Sequence, residues 1–125
     1  MSLELQLSQL PTFYNRVDII QQTAEQTIKD FDVFDYQITF SETEKTAYEE
    51  LFDQILPLIG NLVINDYKKL MNILYRIDVN EDLIDQKLST SNPTQFAEII
   101  TELVLERELK KVVIRNYYKN QQNET

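Results

Sequence analysis

The chain has 125 residues, enough for one domain built around a single hydrophobic core. It holds no cysteine and no histidine, which excludes disulfides, zinc sites of the Cys/His kind, Ser-His-Asp triads and histidine-ligated haem. One glycine and three prolines are too few for the turns of a β-sandwich or barrel, and a net charge of −9 argues against binding a phosphate backbone.

The opening "MSLELQLSQL" lacks the cationic-then-apolar pattern of a signal peptide, and no apolar run is long enough to span a membrane. The first predicted helix covers residues 13–31. Phe13, Val17, Ile20, Ala24, Thr27, Ile28 and Phe31 fall in alternating four- and three-residue steps, a narrow apolar stripe. Ser8 is its candidate cap, with Pro11 tolerated in the first turn.

Residues 32–40 lose this period. In "DYQITF", Tyr36, Ile38 and Phe40 alternate with Gln37 and Thr39, as an extended segment would. No partner strand is apparent elsewhere, so the segment reads as an extended connector laid over a helical bundle.

The second helix is predicted over residues 42–63. Ser41 and Glu44 have the spacing of a capping box, and Glu42 adds charge at the helix N-terminus. Leu51, Ile55, Leu58, Ile59 and Leu62 lie on a broad apolar face. Pro57 falls on the polar side, and Gly60 marks either a weakened last turn or the stop. A third helix spans 66–77, capped by Asn65 or Asp66, with Leu70, Ile73, Leu74 and Ile77 inward.

Residues 77–85, "IDVNEDLID", crowd acids and an amide between two helical patterns. Asp78, Asn80 and Asp82 match the first three ligand positions of a calcium loop, but Leu83 stands where the sharp turn needs glycine. Ser89 stands where the bidentate glutamate belongs. A helix start explains the stretch more simply, with Asp78 and Glu81 as a capping box for a short helix at about 80–88. No metal site is expected there.

"SNPTQF" starts the last helix, with Asn92 as cap, Pro93 in the first position and Gln95 closing the box. It should run from Pro93 to about Lys119, leaving 121–125 as a frayed polar tail behind one domain of residues 1–120. Its first half has one inward face, with Phe96, Ile99, Ile100 and Leu103. That face then meets Arg107, Lys110 and Lys111, while Leu105, Leu109, Val112 and Val113 gather on the opposite side. Such a helix is buried on both sides within the chain, bends near residue 106, or meets a second chain. Leu105, Leu109, Val112 and Val113 are therefore a candidate subunit interface. Glu98, Glu102 and Glu106 line one edge, read as solvated, with Glu106 and Lys110 as an ion pair.

Charge is segregated along the chain. Residues 30–53 hold eight acids against Lys45 alone, and Asp32, Asp35, Glu42, Glu49, Glu50 and Asp53 form a candidate acidic surface. The stretches "LYRIDVNEDLID" and "ELVLERELKKVVIRNYY" resemble segments of small uncharacterised helical proteins of bacteria. That resemblance implies a bacterial cytoplasmic setting and carries no activity, cofactor or site residue.

These readings converge on an all-α, single-domain bundle of about five helices. The expected function is non-enzymatic: a helical interaction or adaptor module without cofactor or catalytic residues, self-associating as a homo-oligomer. The alternative is an acidic inhibitor, of immunity or anti-restriction type, that blocks a basic site on another protein.

Overall fold

Ser2 opens the chain's first helix by accepting a hydrogen bond from the Leu5 N–H at 3.2 Å, and α1 follows as Leu3–Ser8 in the computed structural model, which describes residues 2–41 and 47–123. A 3-10 turn, Leu10–Asn15, carries Pro11 in its first turn and leads into α2, Val17–Asp32. Between them Arg16 is extended, with φ −100° and ψ 117°. This break resets the helical phase and explains why Val17, placed on the predicted stripe, is exposed while Ile19 is buried. Ser8 ends α1, donating to the Leu5 carbonyl, and does not cap α2.

The connector behaves as its alternation predicts. Ile38 is buried, Tyr36 and Phe40 are half-buried, and Gln37 and Thr39 are exposed. It lies along α3, Ala47–Asn65, whose Gln54 side-chain amide pairs with the Thr39 backbone as a neighbouring strand would. Thr39 N–H donates to Oε1 and Nε2 donates to Thr39 O, both at 2.8 Å. One turn earlier, Glu50 accepts from the Ser41 N–H and hydroxyl, each at 2.7 Å. The expected capping box pairs Ser41 with Glu44, and Glu44, like Glu42, lies outside the described residues.

Within α3, Pro57 is exposed as expected, and Gly60 lies inside the helix, not at its end. A β-carbon added at Gly60 would meet Ala97 Cβ at 3.9 Å, an ordinary contact. Gly60→Ala should therefore stabilise the protein by about 0.5–1 kcal/mol through lower backbone entropy in the unfolded chain. A higher urea midpoint with unchanged slope is the expected result; a lower midpoint would mean that α3 and α6 cannot accommodate a methyl group there.

Asp66 caps α4, Tyr67–Ile77, by accepting from the Lys69 N–H at 3.1 Å, and Leu70, Ile73, Leu74 and Ile77 are all buried as predicted. The stretch "IDVNEDLID" is a helix stop followed by a helix start. Asp78 adopts a left-handed conformation, φ 69°, while Asp78 N–H donates to Tyr75 O and Val79 N–H to Leu74 O, closing a Schellman motif. Asn80, not Asp78, caps α5, Glu81–Ser89, accepting from the Leu83 N–H at 3.2 Å. Asp78 is excluded from that role because it terminates α4. α2 stops in the same way, with Asp35 left-handed at φ 65° and Tyr36 N–H on Phe31 O. Asp supplies the left-handed residue at both stops, a position where glycine is commonest.

Asn92 caps a 3-10 turn, Pro93–Gln95, that continues into α6, Phe96–Asn123. The helix therefore extends into the stretch expected to fray. α6 is the spine of the bundle: α1, the first 3-10 turn and α2 through α5 all pack against it. Among the described residues there are six α-helices and no strand.

The main core lies between α2, α3, α4, α5 and the first half of α6, with Ile38 inserted from the connector. A second cluster joins Leu10, Phe13 and Ile19 to Leu109, Val112 and Val113. The expected subunit interface is corrected by this arrangement. Leu105 belongs to the main core, while the 3-10 turn and α2 cover Leu109, Val112 and Val113, leaving all four of the candidate residues buried within one chain. The helix is apolar on both sides because the bundle wraps both sides.

Candidate functional site

The charged residues that interrupt the inward face of α6 meet partners placed for them. Arg107 clamps the α4–α5 corner, donating from Nε to Asp78 O at 3.0 Å and from Nη2 to Asp78 Oδ2 at 3.1 Å. Lys111 reaches α2: its Nζ lies 2.9 Å from Asp30 Oδ2 and 2.8 Å from Glu108 Oε1. Asp30 also accepts from Gln26 Nε2 at 3.2 Å on each oxygen, and Arg76 of α4 approaches Oδ1 at 3.5 Å.

This seam is deeply buried. Asp30 is 3% exposed and Glu108 0%. Two neighbouring threonines on α2 are satisfied internally, Thr23 donating to Ile19 O and Thr27 to Thr23 O, each at 2.8 Å. Burial pushes Asp30 upward, but the neighbouring Glu108, Lys111 and Gln26 side chains outweigh it and hold this carboxyl below its ordinary value. At Glu108 burial dominates, Lys111 opposes it, and Asp30 adds to it, so the carboxyl is pushed up to about 8. Paired carboxyls with opposed acidities can perform acid–base chemistry, but here both are enclosed in the core.

The α4–α5 corner is open to the surface. A cleft of about 620 Å³ has Met71, Leu74, Val79, Leu83 and Leu103 in its walls, with charged groups that include Arg107 and Lys110. Lys110 faces Glu106 at 3.9 Å, an exposed and loose form of the expected ion pair. Along the mouth runs an edge of α4 where Tyr67, Met71 and Tyr75 recur every four residues. Tyr75 is 87% exposed, Tyr67 55%, and Ile64, three positions before Tyr67 at the end of α3, 83%. α4 carries Lys68, Lys69 and Arg76 and no acid, but Lys69 lies over the Tyr36 ring and Arg76 approaches Asp30, which leaves only Lys68 beside this edge.

The expected acidic surface is only partly assembled. Asp32, Asp35, Glu49 and Asp53 are exposed, Glu50 is engaged with Ser41, and Glu42 lies outside the described residues. Tyr36 packs under Lys69 at 4.6 Å, whereas residues 39 and 41 are held by Gln54 and Glu50.

Neither the Asp30–Glu108 pair nor the Tyr67–Tyr75 edge is among the candidate residues read from the sequence. One signal for the pair was available: Thr23, Thr27 and Asp30 continue the apolar stripe of α2, so Asp30 sits on a face that must be covered. The tyrosine edge has the same four-residue spacing as core residues, and its exposure needs the structure. No protein-family model matches the chain, and no curated protein or solved structure matches it either.

Proposed function

We propose that this chain is a non-enzymatic protein-interaction module whose partner seats on the outer edge of α4 and the adjoining cleft. The observation that carries the reading is the exposure of Ile64, Tyr67 and Tyr75 beside a cleft of mixed apolar and charged lining. Tyrosines in such settings supply large contact area at low entropic cost and are enriched among residues that dominate binding. The absence of histidine and cysteine from the sequence, and the enclosure of the carboxyl pair, favour binding over catalysis.

The partner is a different protein. Self-association was expected from Leu105, Leu109, Val112 and Val113, which are buried within one chain. The overall charge of −9 favours a protein over a nucleic acid. No described helix is long and apolar enough to cross a membrane. A bacterial cytoplasmic setting is part of the proposal and rests on the resemblance of residues 74–85 and 102–118.

The test is affinity capture from native lysate with the parent and with Tyr67→Ala/Tyr75→Ala. Both positions are exposed, so the variant should keep its stability to within about 0.5 kcal/mol per site. The parent should retain a specific partner at raised salt and the variant should lose it. Equal retention by both would contradict the α4 reading. A second reading, the acidic inhibitor, is favoured by the exposed Asp32, Asp35, Glu49 and Asp53. It requires a partner that salt releases and that Asp35→Lys/Asp53→Lys no longer captures.

A further inference from the structure

The seam between α2 and α6 contains one polar atom that its surroundings leave unsatisfied. Glu108 Oε1 accepts from Lys111, but Glu108 Oε2 is buried and meets no donor among the described residues. Asp30, beside it, has its acceptor sites supplied by Lys111 and Gln26, with Arg76 close by. The charged groups around Glu108 are thus Asp30 from α2, Arg76 from α4, half-exposed and directed at Asp30, and Lys111 from α6.

An ionised Glu108 would bury a second negative charge against Asp30 with one oxygen unpaired, which is costly in a low-dielectric interior. A protonated Glu108 resolves both problems. Its Oε1 still accepts from Lys111, and Oε2 becomes a donor beside Asp30, the carboxylate that shares the Lys111 ammonium with it. The Asp30 carboxylate is the better place for the charge, because Lys111, Gln26 and Arg76 all converge on it.

We propose that Glu108 is held as a neutral acid donating through Oε2 to the Asp30 carboxylate, so that folding takes up one proton and its loss loosens the α2–α6 seam. This places a pH-sensitive latch inside the bundle, separate from the α4 edge. An unfolded glutamate ionises near 4.5 and the folded group near 8. Between those values the folded chain keeps a proton that the unfolded chain releases. The stabilisation is complete below the lower value and is lost as pH rises through the upper one. Asp30 works in the opposite sense, contributing above its ordinary 3.8 and losing its contribution as pH falls through its depressed value.

The test uses the full chain with carbon-13-labelled glutamate side chains, the Glu108 carboxyl signal being identified by its disappearance in Glu108→Gln. The expected midpoint is near 8, set apart from the exposed glutamates. Asp30→Asn removes the carboxylate acceptor and should move that midpoint down. Melting of the parent and of Glu108→Gln is then compared at about pH 6 and about pH 9, either side of the expected transition. The parent should lose stability at the higher pH more than the glutamine variant, whose amide donates permanently. A Glu108 midpoint in the ordinary carboxylate range, or equal losses in parent and variant, would overturn the proposal. If Glu108→Gln fails to fold, assignment through the backbone lets the parent's titration decide alone.

Discussion

Leu109→Glu should abolish the folded monomer. Leu109 is fully buried with Leu10, Phe13 and Ile19, so the substitution places a carboxylate among apolar groups with no partner. Losing the leucine's packing alone costs about 2–5 kcal/mol, and an unpaired buried charge costs several more. The whole stability of a domain this size is about 5–15 kcal/mol. Because Ile19 belongs to α2, the damage spreads from the N-terminal cover to an element of the main fold. Circular dichroism should show loss of cooperative melting, and size exclusion should show no folded species. Leu109→Met, close in volume, should cost less than about 1.5 kcal/mol and keep the fold.

Lys111→Met should be the next most damaging change. It removes the cation shared by Asp30 and Glu108 while retaining much of the stem's apolar volume. Breaking a buried ion pair by deleting one partner typically costs about 3–5 kcal/mol. The lower end applies here, because a fifth of the Lys111 side chain remains in water and Arg76 still approaches Asp30. Urea denaturation near neutral pH would measure the loss. Combining Lys111→Met with Asp30→Asn should recover part of it, since the double variant no longer holds the Asp30 carboxylate without its cation; no recovery would mean that Lys111 acts by packing alone.

Where one residue pattern decided the structure, the sequence could be read. The inward positions of α4 repeat at helical spacing and all are buried, and the alternation of Tyr36, Ile38 and Phe40 survives as a connector with one face inward. Reading failed where distant segments decide. α1 is six residues long and its leucines alternate with Glu4, Gln6 and Ser8, a pattern too short to register as a helix. Missing α1 and the 3-10 turn after it, which with α2 covers the second stripe of α6, made that stripe look like an interface. The break at Arg16 likewise shifted the register of α2 without a glycine or proline to announce it. The Asp30–Lys111 contact joins residues 81 positions apart, beyond any local pattern.

The claim on which the rest depends is that α6 is enclosed within a single chain, leaving the α4 edge as the surface for a partner. Sedimentation equilibrium of the parent over a wide range of loading concentrations tests it most directly. The predicted result is one species of 14.8 kDa at every concentration. A concentration-dependent dimer that Leu109→Glu converts into a helical, soluble monomer would contradict it, and would return Leu105, Leu109, Val112 and Val113 to a contact between chains.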